Sequence, residues 1–159
     1  MNINFCKVGV FQILKKIGLG GTFDHLHEGH KFLLRTALSI SEFVEIGLTS
    51  QDLLKSKQYP LKLEDYKTRE ENLKNFLSSL ADLKRINIVE IKDWSDMDKY
   101  AQDPEYEGLV VSQETYENAL KLNENREKIG LKPLILIVIP LIKDKRQNKI
   151  SSTSIREAL

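Results

Sequence analysis

Gly20-Gly21-Thr22-Phe23-Asp24-His25-Leu26-His27-Glu28-Gly29-His30 holds all three histidines of this 159-residue chain. The stretch follows the apolar run Ile17-Gly18-Leu19 and precedes a helical pattern beginning at Lys31, so it reads as a strand-to-helix turn. In an open α/β sheet, ligands bind at such turns, because strand carboxyl ends and helix amino ends converge there. Gly20, Gly21 and Gly29 surround the turn, where a missing Cβ lets a ligand or a second backbone segment approach.

Outward from this turn, runs rich in β-branched residues predict strands at residues 14–19, 43–48, 86–91, 108–111 and 134–139. Between them lie helical stripes: Leu33, Leu34, Ala37 and Leu38; Leu73, Phe76, Leu77 and Leu80; and Tyr116, Ala119, Leu120 and Asn123. The alternation predicts an α/β fold over residues 1–159 as one domain, a Rossmann-like, doubly wound five-stranded parallel sheet with helices on both faces. Residues 50–68, which include Pro60, read as a long charged surface excursion, and the segment around Pro104 as a polar connection. Residues 1–12 show no clear period. The five strands and their helices are complete by Ile139, so the residues after 149 are expected to be dispensable for folding.

Lys and Arg number 24 against 23 Asp and Glu, a formal charge of +1 that provides no broad footprint for nucleic acid or an anionic membrane. An anionic ligand must therefore be held locally. The longest apolar run, residues 134–139, is strand-sized, and the first residues lack a signal-peptide pattern. With Cys6 the single cysteine, these features lead to the expectation of a cytoplasmic protein in a reducing compartment.

Two constellations can carry chemistry. His27 and His30 are three residues apart, so near a helix start they point to one side, where imidazole and free backbone N–H groups can donate to a phosphate. A metal reading competes, since His25, His27 and His30 superficially match a metallo-hydrolase run. Gly29 stands where that run has Asp, no downstream histidine completes the site, and the cysteines of a structural zinc are missing. The second constellation is Ile150-Ser151-Ser152-Thr153-Ser154-Ile155-Arg156. Its hydroxyls can cap a helix, with Ser154 and Glu157 as a capping box, yet the chain ends at Leu159. Four hydroxyl residues opening so short a helix, with Lys149 before it and Arg156 on its first turn, fit an anion site better. Lys143, Lys145 and Arg146 read as solvated surface. Asn123, on an otherwise apolar helix face, is either a nucleotide contact or a satisfied buried amide.

Gly21-Thr22-Phe23-Asp24 with His27-Glu28-Gly29-His30, paired with the distant Ile150-Ser-Ser-Thr-x-Ile-Arg156, resembles the two signatures of the nucleotidyltransferase superfamily. Val110-Val111-Ser112-Gln113-Glu114-Thr115-Tyr116, then Ala119, Asn123 and Arg126, further resembles the phosphopantetheine adenylyltransferases of the archaeal kind. The bacterial enzymes carry Gly-Leu-Arg where this chain has Val111-Ser112, so an arginine gripping substrate there must be replaced from elsewhere.

The resemblance implies ATP and 4′-phosphopantetheine as substrates. It makes Thr22 the residue orienting the attacking phosphate and His30 the donor to the α-phosphate. Gly21, Thr22, Phe23, His27, Gly29 and His30 would line the nucleotide, with Val111 and Ser112 at the base and Asn123 nearby. Ser152, Thr153 and Arg156 would take the outer phosphates, with Ile150 and Ser151 beside them in the ATP site and Mg²⁺ held mainly by the triphosphate itself. Lys55 or Lys57 would hold the acceptor phosphate. A cytidylyltransferase, a nicotinamide mononucleotide adenylyltransferase and a non-catalytic nucleotide-binding module remain alternatives on the same fold.

Overall fold

In the computed structural model, which describes residues 13–55, 60–144 and 148–159, the chain runs β1 (Leu14–Gly21), α1 (Glu28–Ile40), β2 (Ser41–Thr49), α2 (Tyr66–Ser78), β3 (Ile86–Ile91), α3 (Asp96–Gln102), β4 (Gly108–Ser112), α4 (Tyr116–Lys128), β5 (Ile135–Ile139) and α5 (Ser152–Ala158). The strands form one parallel sheet in the order β3-β2-β1-β4-β5. The order reverses between β1 and β4, so the carboxyl end of β1 lies at the switch point where such sheets open a crevice.

Alternation along the strands sorts the two faces. Ile17, Leu19, Val44, Ile46, Leu48 and Val110 pack in one core with Leu34 and Ala37 of α1 and Leu73 and Leu77 of α2. On the other face Gly18, Glu45, Gly47 and Leu109 meet Met97 and Tyr100 of α3 and Leu122 of α4. Helices therefore cover both faces, as expected. Among the described residues no helix is long and apolar enough to cross a membrane. Residues 1–12, including Cys6, lie outside the described residues, as do Lys145 and Arg146.

The structure corrects several expected boundaries. Helix α1 begins at Glu28 instead of Lys31, which draws His30 into its first turn. Helix α2 begins at Tyr66, capped by the Asp65 carboxylate, and ends before Leu80, which is half-exposed. Residues 50–68 do not form a wholly exposed excursion: short 3-10 turns at Asp52–Leu54 and Pro60–Lys62 bracket it, and Leu54 is buried. The polar segment before Pro104 contains α3, whose start is wrapped by the Asp96 carboxylate accepting from the amides of Lys92 and Asp93 at 3.0 Å each.

Arg126 of α4 is 1% exposed and holds that same face together. Its Nε donates to Lys132 O at 2.9 Å and its Nη1 to Ala101 O at 3.1 Å and Asp103 O at 2.9 Å, so one guanidinium satisfies the carbonyls that end α3 and approach β5. Replacing it with Met, Arg126→Met, strands those carbonyls and is expected to cost about 3 kcal/mol in urea unfolding. The exposed Arg35→Met, measured beside it, is expected to change stability by less than about 0.5 kcal/mol.

Candidate active site

The turn after β1 is shaped by residues held against their preferences. Phe23 and His25 sit at φ 50° and 47°, the left-handed region that costs a non-glycine residue roughly 1–3 kcal/mol. Phe23 turns its ring back into the core, 1% exposed, and a Cβ on Gly21 would meet that ring at 3.1 Å, which explains the glycine. Arg69 of α2, fully buried, fixes the turn from below. Its Nη1 donates to Thr22 O at 2.8 Å and Thr49 O at 2.9 Å, and its Nε to Glu64 O at 3.1 Å. His25 turns away into the neighbouring loop, its amide donating to the Glu64 carboxylate at 2.7 Å and its Nε2 lying 2.8 Å from Lys62 O.

His27 and His30 form a capping box at the start of α1. The Gly29 amide donates to His27 Nδ1 at 3.1 Å, and the His27 amide to His30 Nδ1 at 3.5 Å, the limit of such a bond. With Nδ1 an acceptor on both rings, the proton of each neutral imidazole sits on Nε2, a donor for the cavity the rings line. The rings stack with centroids 3.8 Å apart and planes 23° from parallel. Burial, and secondarily His27, pushes the His30 pKa down to about 3; burial also lowers that of His27, against the pull of Glu28 and Asp24. At neutral pH both are uncharged donors. A Cβ on Gly29 would meet His27 Cε1 at 3.0 Å, so glycine is what lets the ring lie there.

The C-terminal motif reaches the same place. Ser151 caps α5 by accepting from the Ser154 amide at 3.2 Å, so Ser154 completes its capping box with Ser151, where the sequence paired it with Glu157. Ser152 Oγ donates to Asp24 O at 2.6 Å, and the Arg156 guanidinium pairs with the fully buried Asp24 carboxylate. Arg156 Nη2 also donates to Thr153 Oγ1 at 3.3 Å. Arg156, expected as an outstretched phosphate ligand, is thus buried and committed to Asp24 along one edge of the cavity. The last residues also contact the body of the domain through Asp24, so their removal is expected to cost stability as well as one wall of the cavity.

The cavity occupies about 1020 Å³ over the carboxyl ends of the strands. Gly21, Thr22, Phe23, His27, Gly29 and His30 line it from the first motif, and Ile150, Ser151, Ser152, Thr153 and Arg156 from the second. Val111 and Ser112, at the end of β4, form a further part of the wall. Asn123 does not line it: its amide donates to Leu134 O at 2.9 Å and accepts from Leu134 N at 2.7 Å, fastening α4 to the start of β5. The wall of α4 is instead Asn118, Lys121, Leu122 and Asn125, one step around the helix. Lys55 is not on the wall; it is mostly exposed and pairs with Asp52 at 2.9 Å, while Lys57 lies outside the described residues. Lys149, on the wall, pairs with Glu114. Trp94 and Met97 line the side toward β3, where no periodicity pointed to them.

Among the described residues no three His, Cys, Asp or Glu side chains gather as a metal site. The histidines diverge, with His25 bound into its loop and the other two stacked as donors.

Residues 19–158 match the family model described as cytidylyltransferase-like. A phosphopantetheine adenylyltransferase of Pyrococcus abyssi is 45% identical over 145 residues, which span 91% of this chain and 90% of that one. A solved structure from Archaeoglobus fulgidus superposes with a TM-score of 0.65 at 30% identity, covering 86% of this chain and 99% of that chain. A bifunctional NMN adenylyltransferase/ADP ribose pyrophosphatase from Francisella tularensis shares the fold, with a TM-score of 0.61 at 13% identity over 92% of this chain and 42% of that chain.

The neutral His30 makes acid a destabilising condition. The unfolded chain takes up this proton near pH 6.5 and the folded one near 3, so between those values the unfolded state binds more protons and stability falls as pH falls. Urea unfolding between pH 6.5 and 5 is expected to show up to about 1.4 kcal/mol lost per pH unit from this residue. In His30→Gln that slope is expected to shrink correspondingly; an unchanged slope would mean His30 is protonated in the folded state.

Proposed function

This chain belongs to the cytidylyltransferase-like family and, within it, to the phosphopantetheine adenylyltransferases; on that premise we infer that it transfers the adenylyl group of ATP to 4′-phosphopantetheine, giving dephospho-CoA and pyrophosphate in coenzyme A biosynthesis. The observation that best supports a transferase site is the pair of stacked imidazoles, both Nε2–H donors, lining one cavity with the hydroxyls of Ser152 and Thr153.

The acceptor is a phosphate and already an anion, so the reaction needs no general base. Catalysis becomes placement of two phosphates in line and stabilisation of the charge that builds on the transferring one. Thr22 would orient the attacking phosphate. The neutral His30 would donate Nε2–H to an α-phosphate oxygen, strengthening as that oxygen gains charge, and His27 would donate to a neighbouring phosphate. Thr153, whose hydroxyl accepts from Arg156 and keeps its own proton to donate, would hold the outer phosphates, while Ser152, whose O–H goes to Asp24 O, would fix the segment in place; the end of β4 at Val111 and Ser112 would face adenine. Arg156 would act through the Thr153 hydroxyl it contacts, its own charge being balanced by Asp24.

Charge is the term the wall supplies least. Both imidazoles are neutral, Lys149 and Arg156 each face a carboxylate, and Lys121 of α4 is the further cation on the wall among the described residues. The hydroxyl and imidazole donors here do not form an oxygen-ligand cage for Mg²⁺, so the ion would arrive on the triphosphate and neutralise charge there. Reaction in the cytoplasm fits a chain with no membrane-spanning helix among its described residues.

Pyrophosphate release in one plate tests the substrate reading. Turnover is expected with ATP, Mg²⁺ and 4′-phosphopantetheine, and not with CTP or with nicotinamide mononucleotide as acceptor; preference for either of those would replace it. His30→Ala is expected to lower kcat by about 10³-fold with little change in ATP affinity. Gly29→Ala, which drives a methyl group against the His27 ring, is expected to lower it by about tenfold or more. Equal losses of ATP binding and turnover in His30→Ala would assign that residue to ground-state binding.

A further inference from the structure

Asp24 is the only buried carboxylate among the described residues, and it lies behind the cavity wall instead of lining it. Three chain segments meet on it. Its Oδ1 accepts from the Glu64 amide at 2.8 Å, its Oδ2 pairs with Arg156, and its backbone carbonyl accepts from Ser152 Oγ at 2.6 Å. It is flanked by the two non-glycine residues with positive φ among the described residues, Phe23 and His25, so the backbone is bent at both of its neighbours. On the far side, Arg156 is the only buried residue of the seven-residue α5. Of its apolar side chains Ile155 is half-buried and Ala158 exposed, so none is as fully enclosed as Arg156.

From these contacts we propose that Asp24 is a positioning residue for the nucleotide, holding the C-terminal hydroxyls in register with the histidine turn through Arg156 and Ser152. The proposal rests on the reading of the cavity as an ATP site. An ion pair buried this completely adds little stability over a well-packed apolar pair, whereas it does impose one arrangement on the two groups it joins. The arrangement it imposes places Thr153, which accepts from Arg156, and Ser152, which donates to Asp24, on the wall shared with His27 and His30. Because Asp24 also holds the Glu64 amide, the same carboxylate ties the C-terminal motif to the loop that ends at the Asp65 cap of α2. Its effect falls on the outer phosphates, which the second motif would hold, and spares the nucleoside and α-phosphate, which the first motif and β4 would hold.

The test compares ATP with AMP by calorimetric titration of the full chain as wild type, Asp24→Asn, Arg156→Met and the double variant, with far-UV circular dichroism confirming the fold of each. Each single variant is expected to lose about tenfold or more in ATP affinity. AMP, lacking both outer phosphates, is expected to stay within about threefold of wild type. The double variant is expected to bind ATP no more weakly than the weaker single, because the two residues act as one unit. If a single variant fails to fold around its uncompensated charge, the double variant carries none, and the same selective loss of ATP over AMP is expected of it alone. Wild-type affinity for ATP in the folded variants overturns the proposal, as do equal losses for ATP and AMP or losses that multiply in the double. A wild type that binds neither nucleotide would instead overturn the reading of the cavity, so the two failures are distinct.

Discussion

The contact between Asp24 and Arg156 spans 132 positions of sequence between two buried side chains, and it joins the two motifs that line the candidate cavity. A carboxylate buried alone would either unfold the turn or take up a proton. Buried with a guanidinium and the Glu64 amide, and with Ser152 donating to the carbonyl of the same residue, it becomes the point where the turn after β1, the loop at Glu64 and helix α5 are fastened together. The sheet brings the ends of the chain near one another, but it does not decide where a two-turn helix lies on its rim. That decision falls largely to the ion pair and the Ser152 hydrogen bond on the same residue.

Buried arginines solve a wider difficulty of this architecture. An open parallel sheet needs loops at the carboxyl ends of its strands to build a site, and those loops bury carbonyls that no ladder satisfies. Arg69 gathers Thr22 O, Thr49 O and Glu64 O beneath the nucleotide turn, and Arg126 gathers carbonyls at the end of α3 and before β5. A guanidinium has five donors in a fixed plane, so one side chain holds three loop segments at set distances where a lysine would hold them loosely. Burial lowers the pKa of both without discharging them, since an arginine begins so far above neutrality.

This division also explains what could be read in the sequence. The strands, the layered fold and both motifs announce themselves through apolar runs, glycines and clustered hydroxyls, each of which reports its local environment. The buried arginines do not. In one dimension Arg69 and Arg126 look like surface charges on amphipathic helices, and their partners are backbone carbonyls, which carry no sequence signal. Asn123 went unresolved for the same reason: a polar residue on a buried helix face looks alike whether it meets a nucleotide or Leu134. Helix α3 escaped because its short span shows few apolar positions and begins with Asp96 and Asp98, which suit a turn as well as a first helical turn. Arg156 was legible as part of a motif, yet its direction was set by Asp24, whose burial no local pattern reveals.

The histidines show how the same geometry selects a chemistry. Two imidazoles stacked at 3.8 Å cannot both carry a proton cheaply, and partial burial makes even one costly. A lysine or arginine in either place would bind a phosphate more strongly at rest, but it would bind substrate and transition state almost alike. A neutral Nε2–H donor, fixed by the capping box at its other nitrogen, would interact modestly with a resting phosphate and gain as charge accumulates on the oxygen it faced. The cap therefore does two things with one hydrogen bond each: it starts the helix, and it sets the tautomer. Gly29, between the two histidines in sequence, leaves room for both, since a Cβ there would press on the His27 ring at 3.0 Å and shift the atom that caps the helix.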